Sequence, residues 1–422
     1  MSVPWLPSHA VDVKAFAAIR RRTIFECCKW DPQVEDVSVL ADTPLLLCRP
    51  AWRELASLAE ALDRETLAAE AELRQRPELH RRLVLPARLC AALSRSAEVP
   101  VWPRVHRYDF HFTDEGWRIS EVNSDVPGGF IESAGFTSLV AGAVADFETC
   151  GDPAAALIDA IQSLVPDRDA PIGMIHATAY SDDRQVMVYL SRRVAQVGLR
   201  AVLAGPDHLD WRYGRAHIGG ERLGAIVRFF PAEWLPNLPR LTHWQNLVGG
   251  SRTPILNPAS ALLTQSKRFP LTWPRLRTPM DTWRLLLPET RALTWRDRQR
   301  LDPQWVYKPS LGRVGDGVGI AGATSDRSWR DIRRGTRWHP QHWIAQRRFN
   351  AVPISTPHGQ RYPSLGVFVV GGRACGVYGR MSPRPLIDHR AMDVAVLVER
   401  EIQPIAATSV RTRLDEREMA HA

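Results

Sequence analysis

The chain has 422 residues, of which 45% are hydrophobic and 24% charged, and its formal net charge is +9 at pH 7. This length accommodates two or three packed domains, and the composition is that of an ordinary globular protein. No apolar run approaches the length of about 20 residues that a membrane-spanning helix needs, and residues 1–29 lack the pattern of a signal peptide. We therefore expect a cytoplasmic protein without a membrane partner.

Cysteine and charge patterns narrow the classes of function. The six cysteines include no C-x-x-C pair, so a zinc or redox site built on cysteine is not expected. The positive charge is compatible with a polyanion, but the arginines are spread along the whole chain, which disfavours nucleic acid. Of the 55 basic residues only four are lysines: Lys14, Lys29, Lys267 and Lys308. A lysine kept in such a background indicates a need for a compact positive charge, as in phosphate binding.

The order of elements predicts an α/β protein. Residues 1–100 are predicted to be mainly helical, because apolar residues recur at helical spacing. Residues 171–235 resemble a Rossmann-type unit, whose helix starts at an N-cap within Ser181-Asp182-Asp183 and stops at Gly198. Its strands are predicted at Ile172–Ala177, Ala201–Ala204 and Ala225–Phe230. No G-x-G-x-x-G opens the unit, so a dinucleotide site is not expected.

Between these regions, residues 104–123 predict a β-hairpin, because polar and apolar side chains alternate on both sides of a turn. Asp114-Glu115-Gly116 is interpreted as a three-residue loop with Gly116 in the left-handed region, which pairs Thr113 with Trp117. Counting back along both strands gives two pairs of polar residues, Asp109 with Glu121 and Arg107 with Asn123.

These four side chains should share one face of the hairpin. Asp109, Glu121 and Asn123 offer two carboxylates and an amide oxygen, which are suitable ligands for Mg²⁺. Arg107 beside them could neutralise phosphate charge. The alternative is an exposed ladder of ion pairs without chemical function.

A second motif is a strand that ends at Lys308, a glycine-rich turn and another strand. The turn contains Gly312, Arg313 and Gly315. Backbone N–H groups of such a flap can approach phosphates, and Lys308 would reach the same phosphates. The motif is not a P-loop, because G-x-x-x-x-G-K is absent. A merely flexible hairpin is the alternative.

Two later strands complete the candidates. Residues 343–349 predict a strand that could hold adenine by its backbone edge, with Gln346 in its middle. Residues 362–380 predict a hairpin with its turn at Gly371-Gly372, ending at Arg380. An arginine at a strand end can bind phosphate, although an exposed arginine is the usual explanation.

Taken in order, these motifs resemble the synthetase domain of the glutathionylspermidine synthetase family, within the ATP-grasp superfamily. The R-x-D, E-x-N and D-x-P segments correspond to Arg107–Asp109, Glu121–Asn123 and Asp125–Pro127, and K-P-x-x-G-R-x-G corresponds to Lys308–Gly315. Further similar segments are Ile175-His176, Ser181–Asp183, Phe230–Glu233, Gln265–Lys267, Ala345-Gln346 and Cys375–Arg380. The E-x-N strand precedes the lysine strand, as in the permuted arrangement of this family.

The resemblance implies an ATP-grasp fold with a Rossmann-like pre-ATP-grasp domain and a helical N-terminal region. The implied divisions are 1–100 for the helical region, 101–165 for the metal-binding hairpin, 166–250 for the pre-ATP-grasp domain and 251–422 for the ATP-grasp domain with its flap. The implied reaction is ATP-dependent joining of a carboxylate to an amine through an acyl phosphate, with release of ADP and phosphate.

The resemblance also implies residue roles. Asp109, Glu121 and Asn123 would bind Mg²⁺, and Lys267 and Lys308 would hold the ATP phosphates under the flap of Gly312, Arg313 and Gly315. Arg107 and Arg380 would stabilise the transferred γ-phosphoryl group, and Gln346 would lie near the adenine.

The expected substrates are a small-molecule or peptide carboxylate and an amine. The sequence departs from the family at Val126–Gly129 and at Met381, where substrate would be recognised, so substrates other than glutathione and spermidine are expected. A phosphotransferase on the same scaffold, a polyanion-binding protein and a nucleotide-binding pseudoenzyme are the alternatives.

Overall fold

The computed structural model describes residues 3–34, 37–95, 102–312, 315 and 317–401, and it shows a mixed α/β protein. Its α-helices are α1 (Val13–Phe25), α2 (Arg49–Arg74), α3 (His80–Leu83), α4 (Ala87–Arg95), α5 (Thr137–Ala141), α6 (Pro153–Leu164), α7 (Ser181–Gln196), α8 (Leu262–Gln265), α9 (Asp281–Leu286), α10 (Trp295–Gln299) and α11 (Asp326–Trp338). A π-helix spans Ile131–Phe136. Short 3₁₀ helices lie at Pro77–Leu79, Pro206–His208, Ala232–Asn237, Arg240–Thr242, Trp244–Leu247, Ala259–Ala261, Phe269–Arg275 and Pro340–His342.

The strands, in chain order, are β1 (Trp5–Leu6), β2 (Gln33–Val34), β3 (Val37–Ser38), β4 (Leu45–Leu47), β5 (Val105–Thr113), β6 (Gly116–Asn123), β7 (Phe147–Thr149), β8 (Ile172–Ile175), β9 (Ala201–Ala204), β10 (Asp210–Arg212), β11 (Arg215–Ile218), β12 (Glu221–Arg222), β13 (Ala225–Arg228), β14 (Ile255–Leu256), β15 (Thr290–Ala292), β16 (Trp305–Pro309), β17 (Trp343–Arg347), β18 (Ile354–Thr356), β19 (Gly359–Val370), β20 (Arg373–Ser382), β21 (Met392–Val394) and β22 (Val396–Glu399).

The N-terminal region is mainly helical, as predicted. The long helix α2 buries Leu55 and Leu62 completely, because its apolar residues recur on one face. Strand β4 from the same region pairs in parallel with β22, in a sheet of order β1-β4-β22-β7. The first fifty residues are therefore joined to the end of the described chain through backbone hydrogen bonds, and the division of the chain into domains stays a prediction.

The predicted Rossmann-like unit is present as a parallel sheet of order β14-β13-β8-β9. Helix α7 connects β8 to β9 and ends just before Gly198, which has a φ of +76° as the predicted stop requires. The predicted N-cap within residues 181–183 is wrong, because Ser181 is already helical and Tyr180 occupies the cap position. The acidic first turn, Asp182 and Asp183, is present.

A six-stranded sheet of order β21-β20-β19-β5-β6, with β18 beside β19, carries the predicted hairpins. Strands β19 and β20 turn at Gly371 and Gly372, as predicted, where both glycines have positive φ. Strand β5 pairs with β19, so the hairpin of residues 105–123 lies beside the strand pair that ends near Arg380. Helix α2 packs on this sheet.

Buried polar contacts connect the parallel sheet to the hairpin. Arg228 Nη2 donates to Asp125 Oδ1 at 2.5 Å, and the Ala232 N–H donates to the other carboxylate oxygen at 2.9 Å. The Asn257 side chain bonds both the N–H and the C=O of Val105, at 2.8 and 2.6 Å. Because buried charges and amides are costly unless paired, these contacts hold the hairpin in one position relative to the parallel sheet.

A smaller antiparallel sheet, of order β15-β17-β16, carries Lys308 and Gln346. Across the described part of the chain, the helices are too short or too polar to traverse a lipid bilayer.

Candidate active site

The hairpin of β5 and β6 has the predicted pairs of polar residues but not the predicted loop. Thr113 pairs with Gly116 rather than with Trp117, so the loop has two residues. A β-bulge at Ser120 then shifts the register by one residue. The two pairs that depended on the count are therefore confirmed, and they are Asp109 with Glu121 and Arg107 with Asn123.

All four of these side chains line a cavity of about 520 Å³. The cavity lies between the six-stranded sheet, the β15-β17-β16 sheet, the parallel sheet and the N-terminal region. The other predicted site residues that line this cavity are Lys267, Lys308, Gly312, Gly315, Gln346 and Arg380. Arg313 lies outside the described residues.

Arg107 and Asp109 form a bidentate ion pair within β5. Nε and Nη2 of Arg107 donate to the two carboxylate oxygens at 2.8 and 2.9 Å, and Asn123 Nδ2 donates to the same carboxylate at 3.1 Å. Gly366 on the neighbouring strand leaves room for this pair, because a Cβ there would lie 2.7 Å from Arg107 Cδ. The arginine is thus directed into the cavity and its charge is already partly compensated.

Two lysines approach the hairpin from other elements. Lys267, which follows α8, has its ammonium 3.0 Å from Glu121 Oε2, and it donates to the Gly312 carbonyl at 2.9 Å. Lys308 at the end of β16 donates to the carbonyl of the bulged residue Ser120 at 3.0 Å. The bulge therefore also supplies an acceptor for the second lysine.

The electrostatics of this group follow from its burial. Burial lowers the pKa of Lys308 to about 8, and the like charge of Lys267 acts in the same direction. Burial alone would raise the pKa of Glu121, but the two ammonium groups lower it to about 2. Glu121 is therefore a carboxylate at neutral pH, and Lys308 is a cation that a bound anion would stabilise.

Gln346 contacts the lysine directly. Its Oε1 accepts from Lys308 Nζ at 2.8 Å, and its Nε2 donates to Thr290 Oγ1 at 3.1 Å. The backbone edge that the sequence predicted for adenine is occupied at residues 344–346, because β17 is the central strand of its sheet and pairs with β15 there. A role for Gln346 near the adenine stays a prediction.

The glycine-rich turn after β16 is only partly as predicted. The expected second strand is reduced to a single bridge between Tyr307 and Gly319. Gly315 has a φ of +70°, and a Cβ there would lie 2.1 Å from the Ile387 carbonyl oxygen, so only glycine fits. The turn therefore closes against the segment that follows Arg380.

Arg380 reaches the cavity from β20. Its Nη2 donates to the Asp388 carbonyl at 2.7 Å, while its Nε lies 3.9 Å from Asp393 Oδ1. This Nε is buried and has no hydrogen-bond partner within the described residues. A buried donor without a partner beside a cavity is a natural position for an anionic ligand.

A second charged cluster on the cavity wall was not predicted from the sequence, and it is formed by Lys29, Asp31, Glu132 and Asp393. The one sequence signal for it was the rarity of lysine, because Lys29 is among only four in the chain. Three of these four lysines line the cavity, and Lys14 does not.

The hairpin offers oxygen donors of the kind that Mg²⁺ prefers, and their role as its ligands stays a prediction. Among the described residues, no group of three or more His, Cys, Asp or Glu side chains is arranged to hold a metal. The predicted set contains only two such residues, Asp109 and Glu121, with the amide of Asn123 as a third oxygen donor. Mg²⁺ keeps water molecules and takes phosphate oxygens, so this number of protein ligands is sufficient.

Comparison with known proteins supports the resemblance of the motifs. A family profile described as glutathionylspermidine synthase pre-ATP-grasp matches residues 48–399. The solved structure of a glutathione synthetase-like effector from Globodera pallida is similar in fold, with a TM-score of 0.61 at 11% identity over 91% of this chain and 96% of that chain. A protein assigned as a gamma-glutamylcysteine synthetase from Methylobacillus flagellatus KT matches more weakly, with a TM-score of 0.42 at 12% identity over 77% of this chain and 84% of that chain. No curated protein sequence matches significantly.

The profile covers most of the chain, including the hairpin, both lysines of the hairpin group and Arg380. The family motifs of the sequence lie around one cavity. The fold is similar to that of the glutathione synthetase-like effector. The chain therefore belongs to the glutathionylspermidine synthase family.

Proposed function

We propose that the protein is an ATP-dependent carboxylate–amine ligase, which activates an acid as an acyl phosphate and releases ADP and phosphate on forming an amide. The observation that supports this most strongly is the content of one cavity. Two lysines, two arginines and three oxygen donors for a cation converge there from two sheets and from the segment after α8. Family membership supports a ligase, and the cavity residues support ATP as its energy source.

Lys267 and Lys308 would bind the ATP phosphates. Lys267 is paired with Glu121, and Lys308 donates to Ser120 and Gln346. These contacts hold both ammonium groups in the cavity, so little reorganisation is needed when phosphates replace them. The glycine turn would cover the phosphates, and its contact with residue 387 would keep water from the acyl phosphate.

Asp109, Glu121 and Asn123 would hold a magnesium ion, which would supply positive charge to neutralise the phosphates. The protein residues contribute the remaining charge stabilisation. Arg107 is fixed by its bidentate pair with Asp109, and Arg380 has a free buried Nε within the described residues. Both guanidinium groups would stabilise negative charge on the transferred phosphoryl group.

Any enzyme that joins a carboxylate to an amine must first activate the carboxylate. A carboxylate is a poor acyl donor, because oxide is a poor leaving group. Transfer of the γ-phosphoryl group to the acid makes phosphate the leaving group, and the amine nitrogen then attacks the carbonyl carbon. The enzyme mainly has to position the reactants and stabilise the developing charge.

Mg-ATP is expected to raise the melting temperature of the wild-type chain and not that of Lys308→Ala. A ligand present at 100 times its Kd stabilises the folded state by about 2.7 kcal/mol. The measurement is thermal unfolding with Mg-ATP, with Mg-ADP and without nucleotide. Lys14→Ala is the matched control, because Lys14 is exposed on α1 away from the cavity. An equal rise in Lys308→Ala, or no rise in the wild type, would contradict the proposal.

Product analysis separates the ligase from a phosphotransferase on the same scaffold. A ligase releases phosphate and leaves an amide, whereas a phosphotransferase leaves a stable phosphorylated compound. The assay is mass spectrometry of reactions that release ADP in a screen of acids and amines.

A second candidate function is the binding of single-stranded nucleic acid. It is supported by an arginine-rich groove of about 270 Å³ between α10 and α11. Its arginines are exposed and form no ion pair with any described residue. They are Arg298, Arg330, Arg333, Arg334 and Arg337. Trp295 and Trp338 stand exposed on the same two helices, at 69% and 68%. Arginines with exposed aromatic rings are suited to single-stranded nucleic acid, because rings stack on bases.

If this groove binds single-stranded RNA, the affinity should fall steeply with salt, with a slope of about −0.7 in log–log form for each phosphate contacted. The double variant Arg330→Gln with Arg334→Gln should bind at least tenfold more weakly. The matched control is Arg215→Gln with Arg240→Gln, two exposed arginines on other elements. Fluorescence anisotropy with labelled RNA measures both, and equal weakening in the control pair would reject a specific groove.

A further inference from the structure

A single ammonium group stands among three carboxylates on the cavity wall. Lys29 Nζ lies 2.6 Å from Glu132 Oε1, 3.3 Å from Asp393 Oδ2 and 3.4 Å from Asp31 Oδ1. Lys29 is only 6% exposed, yet its side chain borders the cavity. Its carboxylate partners come from three separate parts of the chain, so the arrangement is tertiary.

The segment that carries Lys29 is firmly anchored. The Trp30 N–H donates to Gln185 Oε1 at 2.7 Å, and Gln185 Nε2 donates to Asp31 Oδ1 at 2.7 Å. Cys27 packs against the π-helix at Gly135, where a Cβ would lie 2.7 Å from its sulfur. These contacts fix the ammonium in place. The segment precedes residues 48–399, so it lies outside the part of the chain that the family profile matches.

The charge of this cluster is unbalanced. Three carboxylates face one ammonium, and Arg380 is a further cation, whose Nε is 3.9 Å from Asp393 Oδ1. Burial alone would lower the pKa of Lys29, but the surrounding carboxylates raise it well above its ordinary value, so the group stays charged. The same three carboxylates could bind the ammonium group of a ligand, but Lys29 already occupies them.

The cluster is connected to the hairpin by one residue. Tyr378 donates its hydroxyl to Asp393 Oδ1 at 2.7 Å, and its ring lies under the Arg107 guanidinium at 5.1 Å. Arg107 is the residue that would stabilise the transferred phosphoryl group. A cationic amine held by the carboxylates of this cluster would therefore lie next to the position where the activated acid forms.

We propose that Lys29 is a specificity-determining residue that fills the cation position at the acidic end of the cavity with the protein's own ammonium group. The amine substrate is then a compound with one amino group, because the second ammonium of a polyamine would have to occupy the position that Lys29 holds. This inference rests on the proposed ligase function, since it concerns the amine that attacks the activated acid.

The test is binding of amines to the whole chain, measured by thermal shift and by calorimetric titration, with n-propylammonium and spermidine as probes. Lys29→Ala opens a position of the length of a propylammonium group beside three carboxylates. Spermidine and n-propylammonium are expected to bind Lys29→Ala at least tenfold more tightly than the wild type. Lys29→Arg keeps the charge and should behave as the wild type.

Two further variants keep the proposal falsifiable. Combining Lys29→Ala with Glu132→Gln should remove most of the gain, because the nearest carboxylate is lost. If Lys29→Ala alone does not fold, the double variant Lys29→Ala with Asp31→Asn leaves one negative charge fewer and should show a smaller gain in affinity, because Glu132 and Asp393 remain. A folded Lys29→Ala protein, or a folded Lys29→Ala with Asp31→Asn protein, that shows no gain in affinity for either amine would overturn the proposal.

The outcome is independent of the ligase test. Amine binding requires neither ATP nor turnover, so a failure of the Lys29 proposal leaves nucleotide binding by the wild type intact. Conversely, absence of any effect of Mg-ATP on the wild type would remove the ligase proposal whatever the amines do.

Discussion

Glu121→Gln is expected to lower ATP turnover by at least about a hundredfold, the loss typical of removing one group that stabilises charge in a transition state. The carboxylate is paired with Lys267 at 3.0 Å, and its pKa of about 2 keeps it ionised at every pH at which the enzyme would be assayed. The amide cannot neutralise the two lysines, and it offers a weaker ligand to magnesium. The measurement is ADP release with the acid and amine that support turnover by the wild type.

Glu115→Gln is the matched control for this variant. Glu115 lies in the loop of the same hairpin, and its side chain is 70% exposed in a surface pair with Arg118. Exposed pairs of this kind contribute little, so turnover should stay at the wild-type level. A Glu121→Gln protein that unfolds cooperatively and keeps turnover within about threefold of the wild type would contradict the assignment of Glu121 to the site.

Arg228→Met is expected to lower the free energy of unfolding by roughly 3–5 kcal/mol, because it leaves the buried Asp125 carboxylate without its counter-charge. The two side chains are 0% and 1% exposed, and Arg228 also donates to the carbonyls of Asn257 and Phe230. The loss therefore includes hydrogen bonds that hold the hairpin against the parallel sheet. The measurement is urea unfolding, followed by circular dichroism and by tryptophan fluorescence.

Arg200→Gln is the matched control, since Arg200 pairs with Glu221 at the surface, where both side chains are about half exposed. Its urea midpoint should equal that of the wild type. If Arg228→Met unfolds at the wild-type midpoint as well, the contact between Asp125 and Arg228 does not hold the two sheets together.

The register of the hairpin shows how two correct residue pairings were predicted from a loop of the wrong length. Alternation of side chains predicted both strands, and Gly116 marked the turn, with a φ of +91°. The loop is one residue shorter than predicted, and the bulge at Ser120 compensates for the difference. The carbonyl of the bulged Ser120 accepts a hydrogen bond from Lys308, a contact over 188 residues that the local sequence of the hairpin does not show.

For the arginines, by contrast, the structure shows a feature that the sequence did not predict. They are spread along the sequence, and this distribution predicted no concentrated basic surface. Within α11, however, Arg330, Arg333, Arg334 and Arg337 stand three or four residues apart, which is the spacing of one helical face. Packing against α10 then adds Arg298 to the same groove. Arginines that are spread along the sequence therefore form a concentrated positive charge, because helix formation and packing bring them together.

By itself the sequence determined the elements and the chemical types of the hairpin site. Strand alternation, helix periodicity and turn glycines are encoded over a few neighbouring residues, and the family motifs are equally local. The tertiary structure alone decided that Lys29 meets Glu132 and Asp393, and that Asp125 is paired with Arg228. These partners are separated by about a hundred residues or more. Their contact depends on how whole sheets pack, which no short pattern in the sequence records.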